Sequence, residues 1–239
     1  MPLNKSKGNM YEWVTHTWNP LAGECPHRCS YCSTNKLMRY PGIKSKYSGE
    51  PRLEEKELKT NLGADNFIFV AAQNDLFAEA IPADVIRRIL AYCARFNNKY
   101  LFQTKNPKRL LEFQYELDLL DFSICTTIET NRHYTTQMRN CPLPKDRAHW
   151  MNEIVHEFRW GFPNNRTYVT IEPIMDFDLD ELNFLIETCL ACQVNIGADS
   201  GNNNLPEPSK EKVIDLIQRL EAHTKVKVKD NLKRIIGPP

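Results

Sequence analysis

A surplus of charge is missing from this 239-residue chain, in which 31 Lys and Arg stand against 30 Asp and Glu, a formal +1. That excludes a histone-like nucleic-acid binder while leaving room for a local basic groove. Long apolar runs are missing too: none approaches the roughly 20 residues of a membrane span, and mean hydropathy is -0.52. Residues 1–10 contain no apolar stretch of the signal-peptide kind, so the expectation is a cytoplasmic protein. No internal repeat, low-complexity tract or Gly/Ser linker interrupts the chain, which favours one domain. At this length roughly 70–75% of the unfolded surface can be buried, so the core needs no disulfide or metal staple.

Cysteine, by contrast, is plentiful: Cys25, Cys29, Cys32, Cys93, Cys125, Cys141, Cys189 and Cys192. In a reducing compartment a tight thiol cluster reads as metal-binding or catalytic rather than oxidised. Three of the eight fall within eight residues, Cys25-Pro26-His27-Arg28-Cys29-Ser30-Tyr31-Cys32. Cys189 and Cys192 continue the apolar stripe of Leu182, Leu185 and Ile186, so they read as core thiols rather than an auxiliary site. Cys93 and Cys125 read the same way, whereas Cys141 lies in a Pro-rich turn and is expected near solvent, where a hydrogen-donating role would be open to it.

Short β-branched and aromatic runs at 12–18, 66–72, 99–104, 122–128, 167–171, 193–197 and 226–228 predict strands. Amphipathic segments at 54–61, 82–96, 107–116, 146–159, 180–192 and 208–223 predict helices between them. At 208–223, Pro208 and Ser209 suit a helix start, and Val213, Leu216, Ile217 and Leu220 recur at helical spacing. Strands separated by single helices imply βαβ units and a parallel sheet, open or nearly closed into a barrel. Just past the strands stand Asn74 and Asp75, Gln103 and Lys105, Thr127 and Glu129, Glu172, then Asp199 and Ser200. In a parallel barrel these ends converge on one face, level with the cysteine loop after the first strand.

Three cysteines in one short loop suit an iron–sulfur cluster that keeps one iron open. Structural zinc is the alternative, with His27 or His16 as fourth ligand, although zinc sites usually pair two CxxC knuckles and only Cys29 and Cys32 form one here. An unliganded group of thiols is the third reading.

The Cx3CxxC spacing with Tyr31 before the last cysteine resembles the signature of the radical S-adenosylmethionine (SAM) superfamily. Further stretches resemble an uncharacterised radical-SAM-like family of phages and bacteria, distantly similar to spore photoproduct lyase. They are Thr17-Trp18-Asn19-Pro20, Phe102-Gln103-Thr104-Lys105-Asn106-Pro107, Thr127-Ile128-Glu129-Thr130, Ile171-Glu172-Pro173 and Gly197-Ala198-Asp199-Ser200-Gly201. The last departs from the family's usual Gly-Gly-Glu-Ser-Gly at Ala198 and Asp199. The resemblance implies an α/β fold, a partial (βα)6 TIM-like barrel in a single domain over 1–239, with a helical insertion at about 131–166. It implies a 4Fe-4S cluster on Cys25, Cys29 and Cys32, SAM chelating the open iron, and reductive cleavage to a 5'-deoxyadenosyl radical that abstracts hydrogen. It also implies a reducing partner of flavodoxin or ferredoxin type. For SAM, the expected neighbours are Tyr31 at the adenine, Asn74 or Asp75 at the ammonium, and Lys105 with Gln103 at the carboxylate side. Thr127 and Glu129 are expected at the ribose and methionine end, and Glu172, Asp199 and Ser200 around them.

For the substrate, Lys225-Val226-Lys227-Val228-Lys229 alternates so that Lys227 or Lys229 can face the mouth and meet an anion. The segment 132–166 holds His133, Tyr134, Arg139, Arg147, Trp150, Arg159 and Trp160, a mixture that suits either nucleic-acid contacts or a surface helix with snorkelling arginines. A nucleic acid or nucleotide is the expected substrate, a peptide or small metabolite the alternative, and a non-enzymatic zinc or cluster module the third reading.

Overall fold

The computed structural model describes residues 3–6, 11–158 and 166–237. Its strands are β1 (Asn4–Lys5), β2 (His16–Trp18), β3 (Leu21–Ala22), β4 (Arg52–Leu53), β5 (Phe67–Val70), β6 (Lys99–Thr104), β7 (Asp121–Thr127), β8 (Thr167–Ile171), β9 (Gln193–Ile196) and β10 (Lys225–Val228). Eight of them form one sheet in the order β1-β2-β5-β6-β7-β8-β9-β10. β1 runs antiparallel to β2, and every pairing from β2 to β10 is parallel. The parallel strands are those that the β-branched and aromatic runs predict. The expected barrel is seen only as an open sheet, with β1 and β10 at its edges. Side chains reach across the seam: Lys227 Nζ lies 3.4 Å from Glu12 Oε2, and Lys229 Nζ sits 5.0 Å from the centre of the Tyr11 ring.

Strand alternation divides the core in two. Ile68, Val70, Tyr100, Phe102, Phe122, Ile124, Val169, Ile171, Val194 and Ile196 face the helices in one large cluster. Phe69, Leu101 and Cys125 face the other way and pack with Tyr11 and Val14. Trp13 fills this concave side: its ring lies 4.7 Å from Phe67, 4.6 Å from Tyr168 and 5.1 Å from Tyr11, centre to centre. Aromatic faces at these separations add stabilisation beyond the area they bury.

The outer helices follow their apolar stripes. In Ala83–Cys93 the buried side chains are Val85, Ile86, Ile89, Leu90, Tyr92 and Cys93. Ser209 caps Lys210–Glu221 by accepting from the Lys212 N–H, and Val213, Leu216 and Leu220 are buried. The segment at 107–116 differs from expectation. It is a 3-10 helix, Pro107–Phe113, running into Gln114–Leu117. The buried apolar side chains Pro107, Leu110 and Phe113 recur every third residue, with Arg109 buried between them, which suits three residues per turn rather than 3.6. The predicted helix at 54–61 is likewise a 3-10 turn, Glu55–Lys59. Helix Pro144–Glu157 buries Ala148, Met151 and Ile154 and forms the crossover between β7 and β8; Arg159 and Trp160 lie outside the described residues.

β3 and β4 pair antiparallel as a separate ribbon, closing an excursion over 23–51 that carries the cysteine motif. Its two legs touch at Gly23, where φ is +91° and a Cβ would stand 2.3 Å from the Glu50 carbonyl oxygen. Only glycine fits that turn without displacing backbone. No helix among the described residues is long and apolar enough to cross a membrane.

Candidate functional site

A cavity of about 430 Å³ lies at the C-terminal ends of the parallel strands, a size within the usual range of ligand pockets. Cys25, Cys29 and Cys32 line it, together with Tyr31, Asn74, Asp75, Gln103, Lys105, Thr127, Glu172, Asp199 and Ser200. Of the residues expected at SAM, only Glu129 is not in this lining; it is buried behind it, at 0% exposure. Tyr11 lies beneath this lining, its ring packing on Phe69 and its hydroxyl donating to Gln103 Oε1 at 2.9 Å, above the Trp13 stack.

The cysteine loop is held by a fourth thiol. Cys141 is 7% exposed, and its Sγ lies 3.3 Å from Cys29 Sγ, which corrects the expectation that it faces solvent. Helix Thr135–Met138 explains the burial, since Ser30 N–H donates to the Gln137 carbonyl and Met138 packs in the same cluster as Cys29, Tyr31 and Cys141. The hydrogen bond from Cys141 holds the Cys29 thiol down at about 5, and the Lys105 ammonium assists. The proton of the pair sits on Cys141, whose thiol is pushed up by the same bond and by burial. Burial and the Asp75 carboxylate push Cys25 up to about 12. In the metal-free protein, iodoacetamide at about pH 6 is therefore expected to label Cys29 well ahead of Cys25, and this advantage to fade as pH falls below about 5. Cys141→Ala should slow labelling of Cys29 about tenfold or more. Equal labelling of Cys25 and Cys29 in peptide maps would refute the thiolate assignment.

Behind the thiols, Glu129 collects three donors. Tyr31 Oη donates to Oε1 at 2.6 Å, Lys105 Nζ binds the same oxygen, and Arg147 Nη1 donates to Oε2 at 2.7 Å. Arg147 also donates to the carbonyls of Thr127 and Pro142, each at 2.8 Å, and is fully buried. It is neither a snorkelling surface arginine nor a nucleic-acid contact. Burial pushes the Glu129 carboxyl up, but Lys105, Arg147 and the Tyr31 hydroxyl outweigh it and hold the group at about 2. Two cations on one carboxylate leave a positive surplus beside the thiols, which favours thiolates and negative ligands.

The rest of the lining is already cross-linked. Asp75 Oδ2 accepts from Lys105 N at 2.7 Å and meets His27 Nε2 at 2.8 Å, while Oδ1 accepts from Phe77 N. Burial raises the Asp75 carboxyl, yet His27, the Lys105 N–H and Thr104 hold it below the ordinary range. Asn74 Nδ2 donates to the Gly23 carbonyl at 3.0 Å. Glu172 accepts from Lys229 Nζ at 2.6 Å and Asn231 Nδ2 at 2.8 Å; a Cβ on Gly197 would stand 2.7 Å from its carboxylate. Asp199 accepts from Gly201 N and Asn203 Nδ2, each at 2.7 Å, so it shapes its own loop. Lys229 thus faces the cavity, whereas Lys227 turns to Glu12 at the seam.

A zinc ion fits poorly. Both His27 ring nitrogens are engaged, with Asp75 and with the Asn140 carbonyl at 3.4 Å, and His16 lies within β2. Among the described residues, no three His, Cys, Asp or Glu side chains are placed to hold a single metal ion. Thiols spread around a cavity suit a polynuclear centre, in which each iron takes its own sulfur. Tyr11 and Asn231 escape sequence reasoning, and Arg147 enters it only in the wrong role, because no spacing ties them to the strand ends they meet.

Solved structures share this fold at low sequence identity. A spore photoproduct lyase complexed with dinucleoside spore photoproduct superposes with a TM-score of 0.59 and 10% identity over 92% of this chain and 78% of its own. A point mutant of that enzyme gives 0.61 and 8% over 95% and 80%. A double mutant with bound AdoMet and dinucleoside spore photoproduct gives 0.54 and 11% over 93% and 66%. No curated protein matches the sequence. Residues 9–207 match the model of the family described as "Protein of unknown function (DUF5131)", which covers the cysteine loop and all but the last of the cavity-forming strands, and the chain belongs to that family.

Proposed function

We propose that this protein is a radical SAM enzyme acting on a nucleic acid or nucleotide. The observation that carries the reading is that the three cysteines of the Cx3CxxC loop open onto the same cavity as the polar ends of the parallel strands. Cys25, Cys29 and Cys32 would hold a 4Fe-4S cluster, and SAM would take the remaining iron. When bound, the pair supplies a 5'-deoxyadenosyl radical for hydrogen abstraction. The AdoMet and dinucleoside bound by neighbours of the same fold support the cofactor and the substrate class.

The chain's own residues then have positional work. Lys105 and Arg147 give the loop a positive surroundings for thiolates, and Cys141 donates to Cys29. Asn74, Gln103 and Thr127 offer amide and hydroxyl groups to an amino acid and ribose, while Glu172 and Asp199, held by Asn231 and Asn203, keep the far wall rigid. Tyr11 and Trp13 exclude water from below, as a reactive carbon radical requires. A flavodoxin- or ferredoxin-like protein would deliver the electron.

The test is anaerobic reconstitution with iron and sulfide. A brown protein that releases 5'-deoxyadenosine from SAM on reduction, faster with an oligonucleotide present, supports the reading. A colourless protein, or iron binding without SAM cleavage, removes it.

A further inference from the structure

The excursion that carries the cysteines does more chemistry than packing. Helix Pro41–Lys46 buries no side chain, and helix Ser33–Leu37 buries only Thr34. Burial of an apolar face is what normally stabilises short helices, so the core gives little reason for these two turns. Residues 33–46 carry Lys36, Arg39, Lys44 and Lys46 and no acid, in a chain whose total charge is +1. Lys46 is used internally, donating to the Asn19 carbonyl and Glu57. Lys36, Arg39 and Lys44 are exposed and, among the described residues, have no carboxylate within 4 Å. Tyr40 is 49% exposed, and the Arg39 guanidinium lies 4.9 Å from its ring centre. The strip is continuous with the cavity: Ser33, Thr34 and Lys36 line it, and Lys36 Nζ reaches the Ser200 carbonyl on the opposite wall at 3.4 Å.

We infer that the strip over residues 33–46 is the track for a single-stranded nucleic-acid backbone, leading one nucleotide into the cavity. Lys36, Arg39 and Lys44 meet phosphates, and the Arg39–Tyr40 pair offers a flat face on which a base stacks. Cations without a carboxylate partner, beside an exposed aromatic to which one of them, Arg39, donates at 3.0 Å, are the combination that sequence-tolerant single-strand binding uses. An acidic electron-donor protein would also be drawn to this charge. The continuity of the strip with the substrate cavity and the exposed stacking face favour nucleic acid. The inference rests on the nucleic-acid reading above and deepens it by assigning the surface. It moves the contact from the Arg-rich segment at 132–166, whose Arg147 is buried on Glu129, to the side that carries the cysteines.

The experiment is fluorescence anisotropy of a labelled single-stranded oligonucleotide with the full chain, titrated across salt concentrations. Arg39→Glu/Lys44→Glu should weaken binding about tenfold or more and reduce the steepness of log K against log salt by about 1.4, for two phosphates lost. Tyr40→Ala should cost about fivefold or more with little change in salt slope. The same reversals at Arg95 and Lys145, on the helical side, are the comparison. If all four reversals act alike, the track is wrong and the nucleic-acid reading survives. If the wild-type chain binds no oligonucleotide at low salt but binds an acidic flavodoxin through Arg39 and Lys44, both the track and the nucleic-acid reading fall.

Discussion

Cys29→Ala protein, reconstituted anaerobically, is expected to lose its visible iron–sulfur absorption and to release no 5'-deoxyadenosine above background. Cys25→Ala and Cys32→Ala should do the same, because a cluster offered two thiolates in place of three has lost a ligand; Cys141, 3.3 Å from Cys29, stands close enough to substitute there, so Cys29→Ala/Cys141→Ala is measured beside the single variant. Cys192→Ser is the control. Its thiol donates to the Thr167 carbonyl at 2.9 Å at the N-terminal ends of β8 and β9, away from the cavity, and serine keeps that donor, so iron content should not change. Iron binding should also release protons, since metal takes thiolates. Cys29 is already ionised above about pH 5, whereas Cys25, pushed to about 12, has its proton to lose. Full iron content in all three alanine variants would overturn the assignment of the loop.

The second large effect is on stability. Glu129→Ala removes the one carboxylate that Lys105 and Arg147 share and leaves two buried cations unpaired. Breaking a buried pair costs about 3–5 kcal/mol, which for a chain of this size is a fall in Tm of roughly 6–20 °C. The pH dependence carries the sign. The Glu129 carboxyl is held at about 2 in the folded protein, below its unfolded value of about 4.3. The stabilisation it contributes is therefore present above about pH 4.3 and is lost as pH falls toward about 2. Thermal melts of wild type and Glu129→Gln should differ most near neutral pH and converge in acid. A constant difference down to about pH 2 would show that Glu129 acts by shape rather than by charge.

Much of the architecture was legible because alternation and turn chemistry are local. The parallel strands announced themselves by β-branched and aromatic runs, and Ser209 marked its helix by a capping rule that needs only three residues. The cysteine loop was legible for the same reason: its three thiols lie within eight residues of one another and open onto one cavity. What stayed hidden depends on pairings distant in sequence. Arg147 looked like a surface arginine because nothing within its own helix reveals that Glu129, 18 residues earlier, needs a second cation. Cys141 looked exposed because a Pro-rich turn usually is; its burial comes from Cys29, 112 residues away. Glu129 stood at the right strand end for the cavity, yet its side chain turns behind the wall, a choice made by the two cations rather than by its position. The 3-10 segment at 107–113 was misread as a full helix because Pro107, Leu110 and Phe113 keep their three-residue spacing for only two turns, too short a run to announce its period.

The Trp13 stack separates the cavity from the N-terminal ends of the strands, with Tyr11 as its upper surface. Phe67 belongs to β5 and Tyr168 to β8, strands separated in the sheet by β6 and β7. One indole therefore ties together two strands that no backbone ladder joins directly, and truncating it would loosen the concave side across four strands rather than at one point.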